Sequence, residues 1–292
     1  MTRGTGALSA PIFRLALFIV GLGLLAGVGA LMGRASGIDA DDTDGSATDG
    51  AMTHSASATP REVGNGLSDS SAGFRLVLAP TTFPAGLRKQ LRLRIIDDSG
   101  SAVTSLDEDH GEPPLHLIVV RRDLTGYRHL HPIRSGGGFR VDLTLPTPGV
   151  WRAFADFEID GEKVVLGRDL VVPGELTPRT LPEPALSAEA KGYRVELTAG
   201  ELRAGVEETV GFDITRAGDQ VELEPYLGAS GHLVAIRESD LAYLHVHPLE
   251  RSHTSGVSFV AEFTEPGRYG LFLQFKHAGR VQTVPFTVEV SR

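Results

Sequence analysis

The stretch LHLIVVRRDLTGYRHLHP, residues 115–132, decides the fold of this chain, because it consists of two short apolar segments joined by a turn. Residues 115–120 form an almost continuous apolar run, which is typical of a buried strand. Gly126 supplies a turn into the second segment. A closely similar stretch, GHLVAIRESDLAYLHVHP, occupies residues 231–248. The same β-hairpin is therefore predicted twice.

Matches on both sides of the hairpins show that a whole module is repeated. Gly73-Phe74-Arg75-Leu76 returns as Gly192-Tyr193-Arg194-Val195, 119 residues later. Pro148-Gly149 returns as Pro266-Gly267, 118 residues later, whereas the hairpins are offset by 116 residues. Offsets that change only between matched blocks indicate insertions in loops. The predicted domains are a first module at residues 73–172, a Pro-rich linker at residues 173–190 and a second module at residues 191–292.

Apolar residues alternate with charged ones in the segments between the predicted turns. Leu91, Leu93 and Ile95 alternate with arginine, a period of two that indicates a strand with one solvated face. Turns follow one another at short intervals, and neither module contains a credible helical pattern. The predicted fold class is all-β: two tandem immunoglobulin-like or cupredoxin-like antiparallel β-sandwiches, preceded by a transmembrane helix and a disordered tether.

The N-terminal region carries a targeting signal. Residues 15–32, LALFIVGLGLLAGVGALM, form an uncharged run of 18 residues, just long enough to span a bilayer. Arg3 and Arg14 precede this run and several aspartates follow it, so the folded part is predicted outside the cytoplasm. The sequence predicts an anchor or a cleaved signal at residues 1–32, and hence a single-pass membrane protein or a secreted one. Residues 33–72 are poor in large apolar side chains and are predicted to form a disordered tether.

Composition excludes several functions. The chain has a net charge of −9 and a pI near 5.6, which argues against a nucleic-acid partner. It has no cysteine, which excludes disulfides, thiolate metal sites and cysteine nucleophiles. Metalloprotease, P-loop and dinucleotide-binding motifs are also missing from the sequence. The protein is therefore predicted not to be an enzyme.

Histidines provide the one chemical signal in the sequence. Each module contains the same pattern in the same order: a histidine, twelve other residues, a second histidine, one residue, a third histidine and a proline. Residues two apart on a strand project to the same face, so each closely spaced pair should point the same way. If Arg121 pairs with Gly126 in the hairpin, His116 lies opposite His131, with Cβ atoms about 5 Å apart. The predicted site residues are His116, His129 and His131 in the first module and His232, His245 and His247 in the second.

Three neutral imidazoles suit Zn(II) or Cu(II). The methionines, Met1, Met32 and Met52, all lie outside the modules, which excludes thioether and blue-copper sites there. The predicted function is extracytoplasmic binding of a divalent metal, as a chaperone, buffer or sensor. An alternative remains open, in which the histidines are structural and the modules bind an unknown extracytoplasmic protein. Apolar residues flank His116 on both faces of its strand, so the sequence does not decide which face is solvated.

A resemblance supports the metal interpretation. The segments EPYLGASGH (residues 224–232) and YLHVHP (residues 243–248) resemble uncharacterised exported proteins, mostly of high-GC Gram-positive bacteria. More distantly, both modules are similar to extracytoplasmic sandwiches of the YtkA and CopC type, a resemblance that implies copper handling. The resemblance is strongest in the second module. In the first module, residues 112–115 (EPPL) replace the Gly-Ala-Ser-Gly lead-in, and Arg128 replaces Leu244.

Overall fold

The computed structural model describes residues 62–107, 113–249 and 256–292, all of which belong to one compact unit, Ala58–Arg292. The predicted anchor or signal at residues 1–32 and residues 33–61 of the predicted tether lie outside the described residues. The described residues form twenty β-strands and no helix, so the all-β fold class is confirmed. Within the same three ranges, no helix is long and apolar enough to cross a membrane.

The first module consists of two packed sheets. Its strands are β1 (Glu62–Val63), β2 (Ser70–Ser71), β3 (Phe74–Ala79), β4 (Arg88–Ile96), β5 (Leu115–Arg121), β6 (Arg128–Leu130), β7 (Ile133–Arg134), β8 (Phe139–Thr144), β9 (Gly149–Ile159) and β10 (Glu162–Val172). One sheet has the strand order β1-β10-β9-β5-β6 and the other β2-β3-β4-β8-β7. Neighbouring strands are antiparallel, except that β1 joins β10 in parallel.

The second module repeats this architecture. Its strands are β11 (Ser187–Ala190), β12 (Tyr193–Thr198), β13 (Glu207–Arg216), β14 (Asp219–Gln220), β15 (Gly231–Arg237), β16 (Tyr243–His245), β17 (His247–Pro248), β18 (Gly256–Glu262), β19 (Gly267–His277) and β20 (Arg280–Val290). One sheet has the strand order β16-β15-β19-β20, and the other has the order β11-β12-β13-β18-β17, with β14 also paired with β13. The internal repeat is thus confirmed at the level of topology.

Each module has its own apolar core between its two sheets. In the first module, Trp151 and Phe139 are almost fully buried there. Their sequence counterparts Tyr269 and Phe259 lie in the core of the second module. Because large aromatic residues recur at matched positions, the two cores are built in the same way. A β-sandwich with its own core in each repeat is what an immunoglobulin-like fold requires.

A third apolar cluster joins the two modules. Leu117 and Val119 of β5 point into the first module's core, whereas Ile118 and Val120 belong to this third cluster. Strands β5 and β15 therefore bury both faces, which explains their continuous apolar runs. We call this cluster the inter-module interface. It consists of Ile118, Val120, Leu124, Phe154 and Val165 from the first module and Val234, Ile236, Leu241, Tyr243 and Phe272 from the second.

The inter-module interface is reciprocal. Tyr127 of the first module stacks on Phe272 of the second, with ring centroids 4.3 Å apart. Conversely, Tyr243 of the second module packs against Phe154 of the first, with centroids 5.2 Å apart. Tyr127 and Tyr243 are sequence counterparts, as are Phe154 and Phe272. Matched residues that contact each other in both directions are the mark of an approximately two-fold arrangement.

The predicted tether extends too far, because its residues 62–72 belong to the fold. Strand β1 pairs with β10, and Gly167 donates its backbone N–H to the carbonyl of Ser68 (2.8 Å). The Arg152 guanidinium donates to the carbonyl of Gly66, and the N–H of Tyr243 donates to the carbonyl of Asn65 (2.9 Å). These contacts use the backbone of the segment. A composition poor in large apolar side chains therefore did not reveal them.

The Pro-rich segment 173–190 also makes defined contacts with both modules. The Arg121 guanidinium of the first module donates to the carbonyl of Thr177 (3.2 Å). The Arg268 guanidinium of the second module donates to the carbonyls of Leu181 (2.9 Å) and Pro182 (2.6 Å). The segment ends in strand β11, which adds to a sheet of the second module.

Candidate metal centre

The three predicted ligand histidines of the first module meet at the end of the β5–β6 hairpin. Leu117 pairs with Leu130 and Ile118 pairs with His129. Extended by one position, this register brings His116 opposite His131, as the sequence analysis required. His116 lies on the same face of β5 as Ile118, which is the face that meets the second module. The histidines therefore lie beside the inter-module interface, on a face that is buried.

We call His116, His129 and His131 the histidine cluster. Their ring centroids are 4.9 Å apart for His116 and His129, 5.1 Å for His116 and His131, and 4.8 Å for His129 and His131. One ring nitrogen from each residue lies within 4.8 Å of the other two. His116 is buried, and the other two are half-buried. Three imidazole nitrogens this close could hold a single cation.

A glutamine of the second module determines which nitrogen of His129 carries the proton. Nδ1–H of His129 donates to Oε1 of Gln274 at 2.6 Å. The amide of Gln274 is oriented by its own Nε2, which donates to the Thr283 hydroxyl at 3.0 Å. In neutral His129 the other nitrogen, Nε2, therefore has a lone pair, and it lies 3.2 Å from Nδ1 of His116. These two nitrogens either share the proton of His116 in a hydrogen bond or both bind a cation.

His131 completes the cluster with an unpaired nitrogen. Its Nε2 is buried and has no hydrogen-bond partner among the described residues. A buried polar atom left unpaired costs about 1–3 kcal/mol, so native proteins rarely retain one without a reason. A cation that binds through this nitrogen would satisfy it.

Burial favours the neutral form of His129 and His131. It lowers the pKa of His129 well below the usual 6.5, and the neighbouring His116 and His131 lower it further, against the opposing effect of the Gln274 hydrogen bond. Burial also lowers the pKa of His131. Because a metal binds the neutral imidazole, the environment maintains the ligand-competent form at neutral pH.

We expect the metal-free protein to lose stability as the pH falls below 6.5, the usual pKa of histidine. Between this value and the lowered pKa of folded His129, the unfolded chain binds a proton that the folded chain does not. The free energy of unfolding is therefore highest above the window and decreases through it as the pH falls. Thermal melts of the wild type and of His129→Gln at several pH values test this expectation. An equally steep pH dependence in the variant would contradict it.

His232 of the second module lies close to the histidine cluster. Its ring centroid is 5.8 Å from that of His116 and 5.9 Å from that of His129. It also lies against the ring of Tyr226, at 5.5 Å, and its Nε2 is 3.4 Å from the carbonyl of Leu227. His232 is the sequence counterpart of His116 and occupies the same position on β15 that His116 occupies on β5.

The other two predicted site residues of the second module are placed by their backbone. His245 pairs with Val234 in the β15–β16 ladder, as His129 pairs with Ile118 in the first module. His247 pairs with Val260, so the chain passes to the opposite sheet at this point. Their part in metal binding stays a prediction.

Sequence analysis did not identify two buried polar residues at this site, Asp156 and Gln274. Asp156 pairs with His116 across β5 and β9, and Gln274 pairs with His232 across β15 and β19. Oδ2 of Asp156 accepts a hydrogen bond from the Tyr243 hydroxyl at 2.9 Å. A signal was present, because each interrupts a short apolar aromatic stretch, AFADF at residues 153–157 and LFLQF at residues 271–275, at a matched position of the repeat.

Two tandem immunoglobulin-like β-sandwiches with a histidine cluster beside their junction define the class of this protein. It belongs to the family described as Domain of unknown function (DUF8832), which matches residues 69–173 and 188–292 and is therefore present in two copies. The two matches agree with the internal repeat. No curated protein sequence matches the chain.

Several solved structures have distantly similar folds. They include the adhesin FdeC of Escherichia coli (14% identity, TM-score 0.25), InvD of Yersinia pseudotuberculosis (13%, 0.24) and a Salmonella alpha-2-macroglobulin (14%, 0.28). The similar regions cover 79%, 76% and 78% of this chain and 66%, 58% and 15% of the other proteins. TM-scores this low carry no argument about function.

Proposed function

We propose that this protein binds Cu(II) or Zn(II) outside the cytoplasm, as a chaperone, buffer or sensor without catalytic activity. The observation that carries the proposal is the convergence of ring nitrogens from His116, His129 and His131. The imidazole donor set suits both cations. The resemblance to sandwiches of copper-handling proteins supports the same function.

The details of the cluster favour a cation over a purely structural role. The hydrogen bond to Gln274 leaves the lone pair of His129 Nε2 directed toward His116. Metal-binding histidines are commonly held in this way, with the second ring nitrogen donating to an oxygen acceptor that fixes the ring. The unpaired Nε2 of His131 gives a third potential ligand. A structural histidine would be expected to have its buried nitrogens paired within the protein.

The proposal extends to the second module and to the cell membrane. His232, His245 and His247 repeat the spacing of the first cluster, which supports their participation in metal binding. The charged N-terminus and the apolar run at residues 15–32 support a membrane anchor or an export signal, with the folded part outside. The physiological partner would then be the metal ion, delivered or withdrawn in the extracytoplasmic space.

A second candidate function is protein interaction, with structural histidines. It is favoured by the hydrogen bond that His116 and His129 can form with each other at 3.2 Å. In that case the hydrogen bond between His129 and Gln274 holds the β5–β6 hairpin against the second module, and the ring nitrogens only stabilise the fold.

Titration of the full chain, purified in detergent without a histidine tag, separates the two functions. Calorimetry with Cu(II) and with Zn(II) should show stoichiometric uptake, and elemental analysis should detect the bound metal. His277→Ala is the matched control. His277 is hydrogen-bonded to the Tyr193 hydroxyl (2.8 Å) outside the cluster, so its replacement should not affect metal uptake.

The double variant His245→Ala/His247→Ala tests the contribution of the second module. If His245 and His247 are ligands, this variant loses metal affinity and keeps its fold; if the ligands lie elsewhere, it keeps both. Failure of the wild type to take up either metal, together with early melting of the double variant, would overturn the proposal and support the structural role.

A further inference from the structure

The reciprocal docking of the modules brings a histidine of each copy to the same place. His116 and His232 are sequence counterparts, and both lie on the faces that form the inter-module interface, next to Ile118 and Val234. Their rings are 5.8 Å apart. Two separate metal sites, one in each module, would not require these two rings to lie so close together.

We propose that the protein has a single metal centre that spans the two modules, with His232 as the fourth imidazole ligand beside His116, His129 and His131. This inference rests on the proposed metal-binding function and specifies its architecture. The second module also contributes Gln274, which positions His129.

The spacing of the rings fits four ligands around one cation. With metal–nitrogen distances of about 2.0–2.1 Å, tetrahedral coordination places imidazole centroids about 5 Å from one another. The three centroid distances within the histidine cluster are 4.8–5.1 Å. Those from His232 to His116 and His129 are longer, at 5.8 and 5.9 Å, and Nε2 of His232 lies 3.4 Å from the carbonyl of Leu227. His232 would therefore have to move inward and bind the cation through Nδ1.

Charge also favours one cation. Asp156 is a buried carboxylate, 5% exposed, on the strand next to His116. Its counterpart in the second module is the neutral Gln274. These matched positions thus offer one carboxyl group, which in its ionised form would offset part of the charge of one dication. A second dication a few ångströms away would be strongly repelled in this partly buried setting.

A centre of this kind couples metal binding to docking of the modules. Three ligands belong to the first module and one to the second, so the cation binds tightly only when the modules are in contact. By linkage, bound metal should raise the melting temperature of the docked protein.

The test compares the full-length wild type with His232→Ala and the control His277→Ala in Zn(II) calorimetry. We expect one high-affinity equivalent per chain in the wild type and the control, and an affinity at least about 10-fold lower in His232→Ala. Thermal melts should show that Zn(II) stabilises the wild type more than this variant. Pulsed electron paramagnetic resonance on the Cu(II)-loaded wild type should detect four imidazole nitrogens. This last measurement does not depend on the variant folding.

The outcomes distinguish this inference from the proposed function. Two independent equivalents in the wild type, three coordinating imidazoles, or unchanged affinity in His232→Ala would overturn the shared centre while leaving metal binding intact. Complete failure of the wild type to bind metal would overturn both.

Discussion

Replacement of His129 by alanine should lower the affinity of the full chain for Cu(II) or Zn(II) by more than about 100-fold. His129 is the central residue of the cluster, because Nε2 faces His116 and Nδ1–H is held by Gln274. Its replacement removes a ligand, and it also removes the hydrogen bond by which Gln274 of the second module orients the site. Competition titration against a chelator of known affinity measures the change.

Two further variants make this prediction discriminating. Gln274→Met keeps the length of the side chain but removes the acceptor oxygen, so affinity should fall by an intermediate factor of about 10–100. His277→Ala removes a histidine outside the cluster and should have no effect. Wild-type affinity in His129→Ala would exclude the cluster as the metal site.

The second large effect concerns the inter-module interface. Phe272→Ala should lower the free energy of unfolding by about 3–5 kcal/mol, because it leaves a cavity where the ring stacks on Tyr127. Chemical denaturation monitored by circular dichroism measures the loss. A change below about 1 kcal/mol would show that the modules are not docked in this way in solution.

Phe275→Ala is the matched control for this interface. Phe275 lies three residues further along β19, fully buried in the second module's own core. Both substitutions should destabilise the protein by a similar amount. If the metal centre spans the modules, Phe272→Ala should also weaken metal binding in the folded protein, since it loosens the docking that brings His232 to the cluster. Phe275→Ala, on the opposite face of the strand, should retain more of the affinity.

Local patterns in the sequence predicted a large part of the fold. The apolar run in β5, the turn at Gly126 and the matched blocks predicted a repeated hairpin within an all-β chain. The predicted cluster depended on one register of this hairpin, and the structure has that register. These features depend on neighbouring residues along one or two strands, so alternation and spacing reveal them.

Contacts between the modules could not be predicted in the same way. The sequence showed apolar residues on both faces of β5, such as Leu117 and Ile118, but not what covers each face. Whether Gln274 meets His129 depends on the docking of two folded units, and spacing along the chain does not encode that geometry. The entry of residues 62–72 into the fold was missed for another reason, since backbone hydrogen bonds depend little on side-chain composition.

The reciprocal contacts at the junction have an evolutionary consequence. An interface in which Tyr127 meets Phe272 and Tyr243 meets Phe154 is the kind that two identical subunits form in a symmetric homodimer. When such subunits are joined in one chain, their sequences need not stay identical, because each position can then mutate alone. Asp156 and Gln274 differ in this way: one copy has an acid that accepts from Tyr243, while the other has an amide that accepts from a histidine. Two copies in one chain can therefore differ at matched positions in a way that two identical subunits cannot.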